Sequence, residues 1–276
     1  MSKYIKIKKG LNIQLVGEAE KLITTLPLPE TVALKPSNFM GVSPSLLVKE
    51  GDEVQAGTPL FCDKNNEAIK FCSPVSGEVA AIERGEKRKI LAIKVLADKE
   101  TVYASFEKAN PADASRETIL QTLLDSGAWP LIRQRPFGMI ANPKQTPKSI
   151  FISAFDSNPL APDCNFIMQE NDPAFQTGID ALKKLTDGTI HLNIHADATA
   201  APVFTNAKGV QLNTIAGPHP AGNAGVQIHH IDPVNKGETV WCIHPQDVLI
   251  IGRLFLNGQF DASRTIAVTG SQLKHP

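Results

Sequence analysis

The sequence predicts a protein of two domains, an all-β domain followed by an α/β domain. Between residues 42 and 95, short β-type segments alternate with glycine and proline and show almost no helical periodicity. After Asp98, amphipathic helical stretches alternate with short apolar strands, the pattern of an α/β unit with a mainly parallel sheet. A chain of 276 residues also exceeds what one hydrophobic core usually organises, so we expect a boundary near residue 100.

The composition is that of a globular protein without an electrostatic bias. Hydrophobic residues make up 42% and charged residues 20%, and 28 basic side chains balance 28 acidic ones. Nucleic-acid binding therefore has no electrostatic support. The sequence contains no run of about 20 apolar residues for a membrane span, and its basic start lacks the apolar core of a signal peptide. We expect a cytoplasmic protein that reaches any membrane through a partner.

Two phrases in the N-terminal part have the turn-and-strand pattern of a barrel. Residues 48–61 read VKEGDEVQAGTPLF, with Gly51 and Gly57 at turn positions and apolar residues between them. Residues 73–82 read SPVSGEVAAI, a second turn that runs directly into a strand. These phrases resemble the two halves of a barrel-sandwich domain of the biotinyl/lipoyl type, and we assign residues 1–100 to such a domain.

Domains of that type often carry biotin or lipoic acid on a lysine at the apex of a hairpin. The candidates are Lys64, in FCDKNNE, and Lys70, in EAIKFCSP. Lys64 follows Asp63 as in a lipoyl hairpin but lies ten residues before Pro74, and Lys70 lies only four residues before Pro74. We expect neither lysine at a hairpin apex and therefore reject both as carrier lysines. The prediction is an unmodified domain without a covalent cofactor, and a lipoyl or biotin carrier protein is the alternative.

Residues 101–255 are predicted to form a Rossmann-like α/β domain. Residues 115–127 read SRETILQTLLDSG, a helix with Ser115 as its N-cap and Gly127 as its stop. The elements expected after it are a strand, a helix and a strand, at residues 148–155, 172–186 and 189–194. Because the linking residues 94–111 contain no long Gly/Ser tract, we expect the two domains to be docked.

The segment that should cradle a nucleotide has no glycine-rich turn. Residues 127–138 read GAWPLIRQRPFG, and their bulky side chains replace the glycines that let a backbone approach a pyrophosphate. We therefore expect no bound flavin and no bound NADH.

No metal or iron–sulfur site is expected. The four cysteines form no CxxC pair and are interpreted as buried, reduced thiols. His191 and His195 have the spacing of zinc ligands on a helix, but TIHLNIH alternates like a strand, which would put the rings about 13 Å apart. His229 and His230 are adjacent, and on a strand they would point to opposite faces.

Several short phrases, in order along the chain, resemble the A subunits of the bacterial Na+-translocating NADH:quinone oxidoreductases. They are IKIKKGL (5–11), RGEKR (84–88), RPF (135–137), FDSNPL (155–160), LTDG (185–188), GPHPAG (217–222), TVW (239–241), QDV (246–248) and IGRLF (251–255). The resemblance covers essentially the whole chain. It implies a peripheral subunit at the cytoplasmic side of the bacterial inner membrane, bound chiefly to the membrane-embedded B subunit and contributing to quinone reduction without independent catalysis.

The same resemblance implies a third domain. Members of this family continue beyond residue 276 into a β-grasp-like domain, so we expect residues 256–276 to begin a truncated domain, with a strand at residues 264–269. The related C subunit of the Rnf complex carries a flavin-type loop and cluster-binding cysteines. A flavin- or NADH-binding electron-transfer subunit of the Rnf type is therefore the second alternative, although we expect neither flavin nor an iron–sulfur cluster in this chain.

Four residues are candidates for contact with a quinone or a neighbouring subunit: His219, Arg133, Arg135 and Phe137. His219 lies in the rigid, Pro/Gly-rich loop GPHPAGNAG, where it either shapes the loop or binds a ligand. Arg133 and Arg135 either form ion pairs on a helix surface or between domains, or contact a partner or a quinone head group. We expect no catalytic residue.

Overall fold

A computed structural model describes residues 2–17, 20–196 and 198–270 of the chain. The strands are β1 Tyr4–Lys6, β2 Thr31–Leu34, β3 Pro44–Leu46, β4 Glu53–Val54, β5 Pro59–Asp63, β6 Asn66–Cys72, β7 Gly77–Arg84, β8 Ile90–Ala97, β9 Arg133–Arg135, β10 Met139–Ile140, β11 Ser149–Ser153, β12 Thr189–His195, β13 Gln211–Ala216 and β14 Val240–Ile243. The α-helices are α1 Arg116–Ser126, α2 Cys164–Ile167, α3 Asp172–Lys183, α4 Pro202–Thr205, α5 Ala224–Ile231 and α6 Pro245–Asn257.

The N-terminal part is a barrel built from two small antiparallel sheets. One sheet has the order β2-β8-β7-β4 and the other β3-β5-β6. Their inner faces bury Leu60, Val79 and Ile93 completely, and Phe61 stacks on Phe71 with ring centroids 4.4 Å apart. This arrangement confirms the predicted barrel-sandwich fold.

The β5–β6 hairpin corrects one expectation about the carrier lysines. Asp63 pairs with Asn66, so Lys64 lies at the apex of a tight turn, and the statement that neither lysine occupies an apex is wrong for Lys64. Register irregularities between β5 and β6 take up the extra residues that separate Lys64 from Pro74. Lys70 lies within β6, and its amine forms an ion pair with Asp125 of α1 at 2.5 Å.

The first strand belongs to the α/β domain and not to the barrel. β1 pairs in parallel with β13, Tyr4 opposite Thr214, at the edge of the large sheet. The assignment of residues 1–100 to the barrel is therefore wrong for β1. A parallel partner more than 200 residues away leaves no local signal in the sequence.

The α/β domain has one sheet of order β1-β13-β12-β11-β14-β9-β10. Its first five members are parallel, and β9 and β10 add an antiparallel edge. Helices cover both faces, because Ile150 and Ile152 of β11 belong to the cluster that contains α3 and α6, whereas Phe151 packs with α5. The mainly parallel, Rossmann-like sheet is confirmed, and α6 continues past the predicted boundary at residue 255.

Local signals placed the first helix correctly. The Ser115 side chain accepts a hydrogen bond from the Thr118 amide at 3.2 Å, and Gly127 ends α1 in the left-handed conformation with φ of 78°. The other predicted elements are found as β11, α3 and β12.

The two domains share one hydrophobic core, which confirms the predicted docking. Phe71 and Val75 of the barrel belong to the same cluster of buried residues as Ile119 and Trp129 of the α/β domain. β6 packs against α1 and against the short 3-10 helix Trp129–Leu131.

Two further expectations are wrong. His229 and His230 lie on α5 and not on a strand. Residues 264–269 form no strand; they run without regular structure along the start of α6 and find no β partner there. Among the helices of the described ranges, none has the length and apolar character needed to cross a membrane.

Candidate functional site

A crevice opens at the carboxyl ends of β11 and β14. In the sheet, β12 and β13 lie on one side of β11, and β14, which follows them in the chain, lies on the other side of β11. Open α/β sheets bind their ligands outside such a reversal of strand order. The cavity has a volume of about 520 Å³, and its walls include Arg135, Ser153, Asp156, Cys164, Asn223 and His244.

Three of the short phrases that are far apart in sequence meet beside this crevice. The Ser157 hydroxyl accepts a hydrogen bond from the Gly222 amide at 2.8 Å and lies 3.0 Å from Nδ1 of His219. A Cβ on Gly222 would collide with the Ser157 backbone, and a Cβ on Gly10 would collide with the His219 carbonyl. The phrases IKIKKG, FDSNPL and GPHPAG thus form one contiguous structure that tolerates no side chain at these glycines.

His219 is held from several directions. Its amide donates to Oδ1 of Asn12 at 2.9 Å, its carbonyl accepts from the Leu11 amide at 3.0 Å, and its ring contacts Ser157. The residue borders the crevice without lining it. These contacts are those of a residue that shapes the loop, and contact with a quinone or a partner stays a prediction.

Arg133 and Arg135 lie on β9, antiparallel to β14, so placing them on a helix surface was wrong. Arg135 lines the crevice, and its Nε is buried without a hydrogen-bond partner. Arg133 is half-buried, and burial lowers the pKa of its guanidinium although Asp247 opposes the shift. Within the described ranges neither arginine has a carboxylate within 4.0 Å, so the expected interdomain ion pair is absent there.

Phe137 lies in the turn between β9 and β10. Its side chain is 76% exposed and takes no part in the walls of the crevice. The structure therefore separates Phe137, a surface residue, from Arg135, although only Pro136 lies between them in sequence.

Two further polar groups of the crevice, Asn223 and His244, directly precede helices. The Asn223 side chain makes no capping hydrogen bond to α5, although the Asn223 carbonyl accepts from the amides of Val226 and Gln227 at 2.9 and 3.1 Å. His244 follows β14 and caps α6, accepting from the Gln246 amide at 3.3 Å. Burial lowers the pKa of His244, so its ring is neutral at pH 7. Sequence reasoning missed Ser153, Asn223 and His244, and a signal was available only for Ser153, which lies near the end of the strand predicted at residues 148–155.

A chain of buried amides supports the crevice from below. Asn213 donates to Asn193 at 2.9 Å, Asn193 donates to Gln227 at 2.8 Å, and Gln227 donates to the Ser153 hydroxyl at 2.8 Å. The three amide side chains are at most 1% exposed. Because buried polar groups are costly unless paired, this chain fixes α5 relative to β11.

The cysteines are buried free thiols, as the sequence indicated. Burial raises the pKa of Cys164, which lines the crevice, to about 12, and that of Cys72 to about 12. Neither is a thiolate nucleophile at neutral pH. In the part of the chain that the structure describes, no group of three or more His, Cys, Asp and Glu side chains is placed to hold a metal ion.

Comparison with known proteins covers both domains. A family model described as the NqrA N-terminal barrel-sandwich hybrid domain matches residues 5–98, and a model described as the NqrA second alpha/beta domain matches residues 114–260. A match to a solved structure of an NAD+-reducing NiFe-hydrogenase in the air-oxidised state spans 55% of this chain and 32% of the hydrogenase chain, at a TM-score of 0.37 and 13% identity. That similarity is too low to indicate a shared fold.

Curated relatives extend the match along the chain. The A subunit of the Na(+)-translocating NADH-quinone reductase from Alcanivorax borkumensis is 39% identical over 275 residues, and that from Neisseria meningitidis serogroup A is 42% identical over 276 residues. Each alignment covers 99% of this chain and 61% of the relative, so the chain spans about three fifths of the relatives' length. The two family models and these identities confirm the resemblance found in the short phrases, and the chain belongs to the NqrA family, the A subunits of the Na+-translocating NADH-quinone reductases.

Proposed function

We propose that this chain serves as a peripheral subunit of a Na+-translocating NADH:quinone oxidoreductase and contributes its crevice to quinone reduction. The observation that carries the proposal is the 39% identity to a curated NqrA protein over 99% of the chain. The chain has no independent catalysis in this proposal, because the crevice offers binding groups but neither a thiolate nor a metal cluster among the described residues.

The crevice has the chemistry that a quinone head group needs. A volume of about 520 Å³ lies in the range of small-molecule sites, and its walls combine apolar with polar groups. The Nε of Arg135 is a hydrogen-bond donor without an acceptor, and a quinone carbonyl oxygen would be such an acceptor. When the quinone is reduced, its oxygens gain negative charge, which the guanidinium of Arg135 stabilises. The neutral ring of His244 lies in the same walls.

Attachment to the membrane would come through the membrane-embedded B subunit on the cytoplasmic side. The exposed ring of Phe137 and the half-exposed Met139, on the β9–β10 hairpin, form an apolar projection suited to such a contact. Arg135 is the last residue of β9 before the turn of this hairpin, so the surface for the partner and the wall of the crevice belong to one element.

The proposal is tested by replacing Arg135 in the assembled complex. Arg135→Met should lower NADH-driven quinone reduction by about 10- to 100-fold, the loss of one charge-assisted hydrogen bond. NADH oxidation with an artificial acceptor at the flavin end should stay unchanged. Arg88→Met, on an exposed turn of the barrel, is the matched control. Unchanged quinone reduction in Arg135→Met would show that the crevice does not bind the quinone.

His219→Ala separates the two interpretations of that residue. If His219 contacts the quinone or a partner, the variant folds normally and the complex loses quinone reduction but keeps NADH oxidation. If quinone reduction is retained and only the stability of the chain falls, His219 shapes the loop, as the contact of its ring with Ser157 favours.

One observation favours a second candidate function. Lys64 occupies an exposed hairpin apex whose backbone is tied down by the Asp63 carboxylate, which accepts from the amides of Ser43 and Asn65 at 3.1 and 3.2 Å. A lipoyl or biotin carrier would present its lysine in this way. Coexpression with the corresponding ligase and measurement of the intact mass decide between the two, because an unmodified mass rules out the carrier function.

A further inference from the structure

His244 lies where β14 ends and α6 begins, at the rim of the crevice. The last residue of β14, Ile243, is paired with Ile152 of β11, and His244 follows it directly. The His244 side chain is exposed and contributes to the walls of the crevice. In open α/β sheets, residues that come directly after the carboxyl end of a parallel strand are placed to contact a ligand.

The cap of α6 determines which ring nitrogen of His244 carries the proton. Nδ1 accepts a hydrogen bond from the Gln246 amide at 3.3 Å, so in the neutral ring the proton lies on Nε2. Gln246 is held in turn, because its side chain exchanges two hydrogen bonds of 2.9 Å with the backbone of Thr265. The neutral ring is therefore a hydrogen-bond donor in a fixed position.

Capping accounts for Nδ1 alone. In the part of the chain that the structure describes, the His244 ring makes no hydrogen bond other than the one from the Gln246 amide. The Nε2–H group is thus a free donor on a side chain that lines the crevice. A histidine that served only as a helix cap would have no use for this second nitrogen, because serine or asparagine caps as well or better.

Other polar groups of the crevice are already engaged or cannot donate. The Ser153 hydroxyl accepts from Gln227 at 2.8 Å and donates to the carbonyl of Phe155 at 3.0 Å. The Asp156 carboxylate is ionised and only accepts hydrogen bonds. A ligand that presents acceptor oxygens would therefore use the Nε of Arg135 and a second donor from another part of the wall.

We propose that His244 is this second donor and that its Nε2–H group binds one carbonyl oxygen of a quinone in the crevice. The inference rests on the proposed function, in which Arg135 binds the other carbonyl oxygen. A quinone ring has two carbonyl oxygens that accept hydrogen bonds and no group that donates one, so the protein must supply both donors. A neutral imidazole polarises a carbonyl by donating a hydrogen bond, and in this role His244 keeps its proton.

Two substitutions separate the donor from the cap. His244→Ser retains an acceptor for the Gln246 amide but is too short to reach a ligand, whereas His244→Gln retains a donor of similar reach on a residue that caps poorly. The melting temperature of the purified chain should be unchanged in His244→Ser and about 2–4 °C lower in His244→Gln.

The donor is measured in the assembled complex with ubiquinone-1 as the acceptor. In His244→Ser, kcat/KM for this quinone should fall about 3- to 10-fold, the loss of one neutral hydrogen bond. His244→Gln should recover most of that loss, although it is the less stable variant. NADH oxidation with an artificial acceptor serves as the control for correct assembly.

Nitrogen NMR of the purified chain, isotopically labelled in its histidines, tests the tautomer independently of activity. The resonances of His244 are identified by their absence in His244→Ser. They should show an unprotonated Nδ1 and a protonated Nε2 at pH 7. A proton on Nδ1 would overturn the proposal, because Nε2 would then have no hydrogen to donate.

The kinetic results distinguish failure of this inference from failure of the proposed function. If Arg135→Met lowers kcat/KM and His244→Ser does not, His244 does not bind the quinone and the proposed function stands. If neither variant lowers it, the proposed function fails and this inference fails with it. Equal losses in His244→Ser and His244→Gln would assign the effect to the shape of the ring and overturn the role of Nε2. A loss in Asn223→Ser but not in His244→Ser would make Asn223 the second donor.

Discussion

Replacing Gly127 by alanine tests whether the barrel and the α/β domain fold as one unit. Gly127 ends α1 with φ of 78°, and a Cβ there would lie 2.7 Å from Sγ and 2.8 Å from Cβ of Cys72 in the barrel. The left-handed conformation costs an alanine about 1–2 kcal/mol, and the forced contact with β6 costs about 1–3 kcal/mol more. The free energy of unfolding should therefore fall by about 2–5 kcal/mol, a large part of the roughly 5–15 kcal/mol typical of a domain.

The assay is urea unfolding followed by tryptophan fluorescence and circular dichroism. Trp129 and Trp241 are fully buried in the α/β domain, so fluorescence reports that domain while circular dichroism reports both. The control is Gly51→Ala, because Gly51 has φ of 87° but no neighbouring atom within 4 Å of the position that a Cβ would take, so only the backbone strain of about 1–2 kcal/mol remains. If Gly127→Ala costs no more than Gly51→Ala, or if the two signals unfold at different urea concentrations in the wild type, the docked interface does not exist as described.

Three further outcomes are expected. Burial lowers the pKa of His191 from 6.5 to about 4, so its contribution to the free energy of unfolding is complete above pH 6.5 and declines by roughly 3 kcal/mol as the pH falls towards 4. In His191→Gln, the free energy of unfolding measured in urea should fall less steeply with pH over this range. An unchanged pH dependence would contradict the buried, neutral state of His191. Gln227→Leu removes the acceptor of the buried Asn193 amide and one donor to the Ser153 hydroxyl, which still bonds to the carbonyls of Phe155 and Gly222. The loss should cost about 1–3 kcal/mol, whereas Gln121→Leu on the exposed face of α1 should cost less than about 1 kcal/mol. Equal costs would argue against the buried chain of amides. NADH and flavin should leave the melting temperature unchanged, because Trp129 and β9 occupy the segment where a glycine-rich loop would be. A ligand that binds the folded chain at a hundredfold its Kd adds about 2.7 kcal/mol to the free energy of unfolding. A clear upward shift of the melting temperature would therefore reveal a nucleotide site.

The parts of the fold that the sequence predicted are those with a local cause. α1 was bounded correctly because the Ser115 hydroxyl and the left-handed Gly127 act within one turn of the helix they delimit. β12 was recognised because alternation along TIHLNIH is a property of the strand itself. The class of the two domains and the family followed from the same kind of short-range pattern, repeated in order along the chain.

Local reasoning failed where a hairpin or a strand depends on its partner. Lys64 reaches an apex because irregularities in the β5–β6 register absorb residues that the spacing to Pro74 counted as loop. Residues 264–269 have the pattern of a strand, but a strand needs a neighbour for its backbone groups, and α6 provides none.

The crevice was decided by the tertiary structure. Arg135, Ser153 and His244 come from three segments that meet only because β9, β14 and β11 are adjacent in the sheet. The sequence by itself determined the classes of the two domains, the elements α1, β11, α3 and β12, and through its ordered phrases the family to which the chain belongs. Which strands pair, and hence which polar groups share a cavity, depends on burial and hydrogen bonding between residues that are far apart in the chain, as β1 and β13 show. Contacts between residues so far apart leave no periodic pattern in a single sequence, so only the folded chain revealed the site.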